Sequence, residues 1–292
     1  MSVKALVGVD VAGNYRVAVD LLQKLEIAFD EVILVNAVEP ILPDGTYPEY
    51  AGPEVSAELF RDVEEAGKTA LDTASQLFYG RRSNRLEVGD PLHAILDVAD
   101  SEAVDLIAVM TERKGALEAW IIGSVTRGLL TASTHSFLAA KPSFRADGPL
   151  TAIFATDHSA YAEKCLDKLI DFAPKGIGRI IVTTVINGKM QHDLANSHDP
   201  EFSTTPELWA EDRFVRENLI ICEKLRSIAT ECSEEVVRGD VNKALRELMH
   251  RENADLLILG AHGHGYLDRI RSGSVSFHQT VAEDYSVWVL RI

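Results

Sequence analysis

Ala-Asp-Leu-Leu-Ile-Leu-Gly-Ala-His-Gly-His-Gly-Tyr-Leu-Asp-Arg-Ile-Arg-Ser-Gly-Ser-Val-Ser, residues 254–276, is the stretch from which the fold is read. Its apolar run, Leu256 to Leu259, is too short for a helix core and suits a strand buried on both faces. The run stops on Gly260, and Gly263 and Gly265 follow at once. After a polar, basic insert come Gly273, Ser274, Val275 and Ser276, where the chain can continue as helix. Glycine lets backbone come close to a ligand. A glycine loop that leaves a strand and feeds a helix N-terminus presents N–H groups where a phosphate can sit. The hydroxyls of Ser274 and Ser276 add donors beside those amides, with the Val275 amide next in line. The stretch predicts an anion cradle.

Outward from it, strands and helices alternate. Ala5–Val9 reads as a strand ending at Asp10, 16–29 as an amphipathic helix, and Glu31–Val38 as a buried strand. A Pro/Gly-rich loop (40–53), a long helix (54–79) with an acidic solvated face, and a short strand at Leu86–Val88 follow. A helix at 92–101, a strand at 105–109, a helix at 124–132 and a strand at 136–140 complete the unit. The order then restarts: strands at 151–155, 179–185, 235–237, 255–259 and 286–290, helices at 161–172, 207–230 and 241–251. Gly89 and Gly239, Asp90 and Asp240, Asp105 and Asp255, and Gly123-Ser124 and Gly273-Ser274 share one spacing. Asp10 and Asp157 share a slightly shorter one, and Ile33-Leu34-Val35 reads as the counterpart of Ile180-Ile181-Val182. The chain is therefore a duplication, with domains at 1–145 and 149–292. The expected fold is α/β: two doubly wound domains, each a mostly parallel five-stranded sheet with helices on both faces. In such sheets ligands sit outside the carboxyl ends of the strands, where strand order reverses. There the Asp157 and Gly260 ends would meet.

The glycines are not the dinucleotide fingerprint, and no Gly-Lys-Ser/Thr marks a P-loop. The spacing Gly260-x2-Gly263-x9-Gly273-Ser274 instead resembles the ATP-binding motif of the universal stress protein family. Both halves together resemble a tandem member of that family. The resemblance implies ATP, or a related adenine nucleotide, with Mg²⁺ on its phosphates. It implies that Asp157 bonds the adenosine part and that Val185 touches adenine; as residues alone, Asp157 equally suits a helix N-cap, a role Ser159 could also fill, and Val185 a buried strand position. Gly260, Gly263, Gly273 and Ser274 carry the phosphate reading, with His262 placed near the ligand. The closing strands, paired across two domains in that family, could pair here within one chain as an internal pseudo-dimer, and a homodimer is open. In the first half Met110 and Arg113 stand where Gly260 and Gly263 stand in the second. Met110 is expected to fill the space at the strand exit, leaving that half a structural partner, although Arg113 could meet an anion as a charge.

The chain has 292 residues and a formal charge of −16, which argues against broad contact with nucleic acid or anionic lipid. No run near eighteen apolar residues suggests a membrane span, and the first residues read as a strand and not a signal. Three cysteines, Cys165, Cys222 and Cys232, without a Cys-x2-Cys pair, fit the reducing cytoplasm. His192, Asp193 and His198 match no zinc spacing and read as a solvated loop. Asp157-His158-Ser159 is no triad, since adjacency in sequence does not make one. Three functions stay open: a nucleotide-binding regulatory module, a slow ATPase or self-phosphorylating enzyme with Ser274 or Ser276 as acceptor, and a scaffold without nucleotide. No catalytic residue is assigned, since no general base or Walker-type magnesium ligand stands beside those serines.

Overall fold

Ten strands join in one sheet, in the order β3-β2-β1-β4-β5-β10-β9-β6-β7-β8. The structure is a computed structural model that describes residues 3–39, 53–111, 123–145, 147–188, 206–261 and 273–292. The first half runs β1 (Lys4–Gly8), α1 (Arg16–Leu25), β2 (Glu31–Val38), α2 (Pro53–Ser75), β3 (Arg82–Val88), α3 (Pro91–Ser101), β4 (Leu106–Met110), α4 (Ser124–Ala132) and β5 (Ser136–Ala140). The second runs β6 (Leu150–Ala155), α5 (Ala160–Phe172), β7 (Ile177–Ile186), α6 (Pro206–Leu225), β8 (Glu231–Arg238), α7 (Val241–Arg251), β9 (Leu256–Gly260), α8 (Ser274–Ala282) and β10 (Ser286–Leu290). Within each half every pairing is parallel, as crossover helices require. Among the described residues the halves meet at a single antiparallel pair, β5 with β10, centred on Leu138 opposite Trp288. Edge strands β3 and β8 extend well beyond the short strands read at 86–88 and 235–237. Their outward residues are polar, so they carry no hydrophobic signal.

Alternation along the strands sorts the core into two layers. Val7, Leu106, Ala108, Phe154, Val182 and Ile258 pack on the face covered by α1, α2, α5 and α6. Leu6, Ile107, Ile153, Ile181, Leu257 and Val289 pack on the face covered by α3, α4, α7 and α8. Asp90 and Asp240 cap α3 and α7, each accepting from an amide at 3.0 Å. Asp105 and Asp255 accept from the amides of Lys4 and Thr151 at 2.9 and 2.8 Å, anchoring the first strand of each half.

One sequence equivalence is corrected. Val7 pairs with Leu34, and its counterpart Phe154 pairs with Val182. Leu34 is therefore equivalent to Val182 and not to Ile181, so the counterpart of Ile33-Leu34-Val35 is Ile181-Val182-Thr183. A one-residue slip turns every side chain to the other face, and the core layers settle the register. The extra residue enters where the β7 partner jumps from Ile177 to Arg179 across Gly178. A Cβ there would meet the Pro149 ring at 2.8 Å.

Reciprocal cations lock the halves together. Lys141, just past β5, is fully buried, and its ammonium donates to the carbonyls of Thr280 (2.8 Å) and Glu283 at the end of α8. Arg291, just past β10, donates to the carbonyls of Leu130 and Ser133 at the end of α4. Each half thus caps a helix C-terminus of the other with a cation, where the helix dipole favours it.

Candidate functional site

The chain leaves β6 towards β7 on one side and returns from β8 to β9 on the other, while β6 and β9 are neighbours, Ala155 opposite Leu259. This is a reversal of strand order, the place where an open α/β sheet forms its crevice. Asp157 lies two residues past β6, and Gly260 ends β9.

Beyond β6 the backbone turns sharply. Thr156 N–H still bonds to Thr183 O at 2.9 Å, and then His158 adopts φ +56°. Asp157 Oδ1 accepts from Ser159 N–H at 3.1 Å, and Ser159 Oγ accepts from Ala162 N–H at 3.1 Å. Ser159, not Asp157, is therefore the N-cap of α5.

On the β9 side, Gly260 is explained by packing. A Cβ there would lie 3.1 Å from Tyr161 Cε1 and 3.2 Å from Cys165 Sγ, both on α5. Burial pushes the Tyr161 phenol and the Cys165 thiol up to about 12 each, so neither is a base or nucleophile near neutral pH. Past Ala261, Gly273 N–H donates to Ala261 O, and the one hydroxyl proton of Ser276 is shared between Gly273 O (3.0 Å) and Ala261 O (3.3 Å). These bonds fix the first turn of α8 to the exit of β9. The Ser276 hydroxyl is buried in this clip, while Ser274 is exposed and Val275 half-buried on the same turn. Val185, near the end of β7, is buried on the face covered by α7 and α8. The structure thus brings Asp157, Gly260, Gly273, Ser274, Val275 and Ser276 to adjoining strand exits, with Val185 one strand away. His262 and Gly263 lie outside the described residues, as do Arg113 and the His192, Asp193 and His198 loop. Among the described residues, no group of three His, Cys, Asp or Glu side chains is placed to hold a metal ion.

The first half has the same crevice between β1 and β4 but different fittings. Asp10 accepts from Tyr15 N–H at 3.0 Å and from Asn14 Nδ2 at 2.8 Å, binding its own loop. Met110 shares the strand face of Leu106 and Ala108, towards α1. Met110 is half-buried where β4 ends. The α1 residue equivalent to Tyr161 is Val17, since Ala18, Leu21, Leu22 and Leu25 repeat as Ala162, Cys165, Leu166 and Leu169. A small residue on the helix thus accompanies methionine, and a large one accompanies glycine. Among the described residues, Thr111 receives no bond from Gly123 or Thr126 matching the clip on Ala261. Sequence reading missed that clip, whose signal was a buried-type hydroxyl three residues past Gly273.

No helix among the described residues is long and apolar enough to cross a membrane. The chain is similar in structure to a universal stress protein from Archaeoglobus fulgidus DSM 4304, with a TM-score of 0.62 and 17% identity, covering 99% of this chain and 98% of that one. It is also similar to a functionally unknown protein from Pseudomonas aeruginosa PAO1, with a TM-score of 0.61 and 13% identity over 99% and 92% of the two chains. At these identities the likeness is one of fold. No curated protein matches the sequence. The universal stress protein family matches it twice, over residues 1–141 and 151–278. Matched in both halves, the chain belongs to the universal stress protein family.

Proposed function

We propose that the protein is a stress-response regulator that binds ATP, or a related adenine nucleotide, in its second half, with the first half as structural partner. The observation that carries this is the clip on Ala261. It holds the N–H groups of the first α8 turn beside the exits of β6 and β9, where positive dipole ends favour a phosphate. Asp157, relieved of capping by Ser159, is the acceptor for ribose hydroxyls or the adenine amine. Val185 would contact the base, and His262 and Gly263 would belong to the loop over the phosphates. Mg²⁺ would arrive with the nucleotide, held by its phosphates.

The test is to denature freshly purified protein, identify any released nucleotide by mass, and titrate nucleotide-free protein with Mg-ATP by calorimetry. One adenine nucleotide per chain is the expected result. Two per chain would overturn the role given to the first half, and no binding in either experiment would overturn the reading.

A further inference from the structure

Beside Asp157, the imidazole of His158 sits among polar groups of β7 and α6. The ring stacks on Phe214 of α6, with centroids 5.4 Å apart and planes within 14°. Its Nε2 lies 2.9 Å from Thr184 Oγ, and Thr184 Oγ donates in turn to Asn218 Oδ1 at 2.9 Å. Because that hydroxyl proton is engaged, Thr184 accepts from Nε2–H. The neutral ring then turns its Nδ1 lone pair towards Glu217 Oε2, 3.6 Å away. Among the described residues, that buried carboxylate oxygen has no hydrogen-bond partner, and neither has Asn218 Nδ2. Proton uptake at Nδ1 would satisfy the carboxylate. Counted from Asp10, the residue in that place in the first half is Val11, an exposed valine with no polar side-chain atom.

We infer that His158 is the positioning residue of the second-half site, coupling its protonation to anion binding; this rests on the nucleotide reading above. Its left-handed backbone makes the turn that puts Ser159 N–H on Asp157 Oδ1, and histidine tolerates that conformation far better than a β-branched residue does. Phe214 and Thr184 hold the ring and so hold the turn. The charged groups facing the ring are Asp157 on its own loop and Glu217 and Arg213 from α6; Thr184 and Asn218 are neutral. Burial lowers the imidazole below its usual range, with Glu217 opposing. A bound polyanion favours the charged ring, so by linkage Mg-ATP binds more tightly as pH falls through the His158 transition.

Mg-ATP affinity is measured by calorimetry between pH 5.5 and 8 for wild type, His158→Val and His158→Asn. The valine, which copies the first half, is expected to weaken binding about tenfold at neutral pH because it strains the turn. Asparagine, which accepts left-handed backbone, is expected to restore neutral-pH affinity to within about threefold while removing the pH dependence. A wild type that takes no Mg-ATP removes the nucleotide reading and this inference with it. Wild-type binding with an unchanged valine variant, or a pH dependence that persists in His158→Asn, removes this inference alone. If the valine variant does not fold, the asparagine pH profile decides.

Discussion

The two halves of this chain share strand order, caps and strand anchors, yet they differ wherever the sheet opens. In the first half Asp10 is bound into its own loop, Met110 ends the strand with Val17 at the helix position of Tyr161, and no clip closes on Thr111 among the described residues. In the second, Ser159 caps the helix beside Asp157, Gly260 meets Tyr161, and Gly273 and Ser276 close on Ala261. Duplication conserved what stability needs and varied what a ligand would touch. The difference teaches that a motif residue can have a packing reason that a ligand does not supply. Gly260 is small because Tyr161 and Cys165 crowd it. The phosphate reading rests instead on the α8 turn.

Comparison of the reciprocal cations gives the largest expected effect. Burial lowers the Lys141 ammonium from 10.5 to about 8. The folded chain loses this proton at lower pH than the unfolded chain, so unfolding takes up a proton between these values. The contribution of Lys141 to stability then rises with pH across that window. The penalty is complete below about pH 8 and amounts to about 3 kcal/mol. Lys141→Arg, which copies Arg291, stays charged in both states and is expected to lose that alkaline rise. Urea unfolding of both proteins between pH 7 and 10.5 checks this. Tyr161 and Cys165, held near 12 in the folded chain, have ordinary values of 10 and 9 once unfolded, so they lower stability over the upper part of this range in both proteins, and the Lys141 contribution is read as the difference between the two slopes. Equal slopes for the two proteins would show that Lys141 is not desolvated.

The exchange of sizes at the strand exits gives the next effect. Gly260→Met drives a side chain into Tyr161 and Cys165 and is expected to cost about 2 kcal/mol. Adding Tyr161→Val, so that the pair copies Met110 and Val17, is expected to recover about half of that as coupling. Chemical denaturation of the single and double variants measures it. Strictly additive losses would mean that the two positions do not share one space.

The same exits show how far the sequence could be read. The duplication and the alternation of strands and helices were legible because hydrophobic period and spaced Gly and Asp residues record them locally, whereas the meeting of β5 with β10 was expected only from the family resemblance. The register of β7 was not. Ile180, Ile181 and Val182 are equally apolar, so their order does not say which face each one takes, and only the jump across Gly178 sets it. Nor was the Lys141 cap on α8, which joins residues 139 positions apart. At the site, Asp157 and Ser159 both have N-cap chemistry, and the turn at His158 selects the serine. His158 itself reads in the sequence as an incidental neighbour, because its partners Thr184, Phe214, Glu217 and Asn218 come from other elements.

The smallest effect probes that choice of cap and tests the contrast between Asp10 and Asp157 most directly. Ser159→Ala removes the acceptor of the Ala162 amide, a loss that costs about 1 kcal/mol where no other side chain takes over the cap. In the first half, Asp10 already bonds the amide of Tyr15 at the start of α1, so an aspartate in this position can serve the helix. With Ser159 gone, Asp157 has the same opportunity and would turn away from the crevice. Mg-ATP affinity is then expected to fall several-fold while stability changes little, which inverts the usual ranking for a capping residue. Loss of stability with full affinity would mean that Asp157 keeps its place without help from Ser159, and the division of labour between the two residues would be wrong.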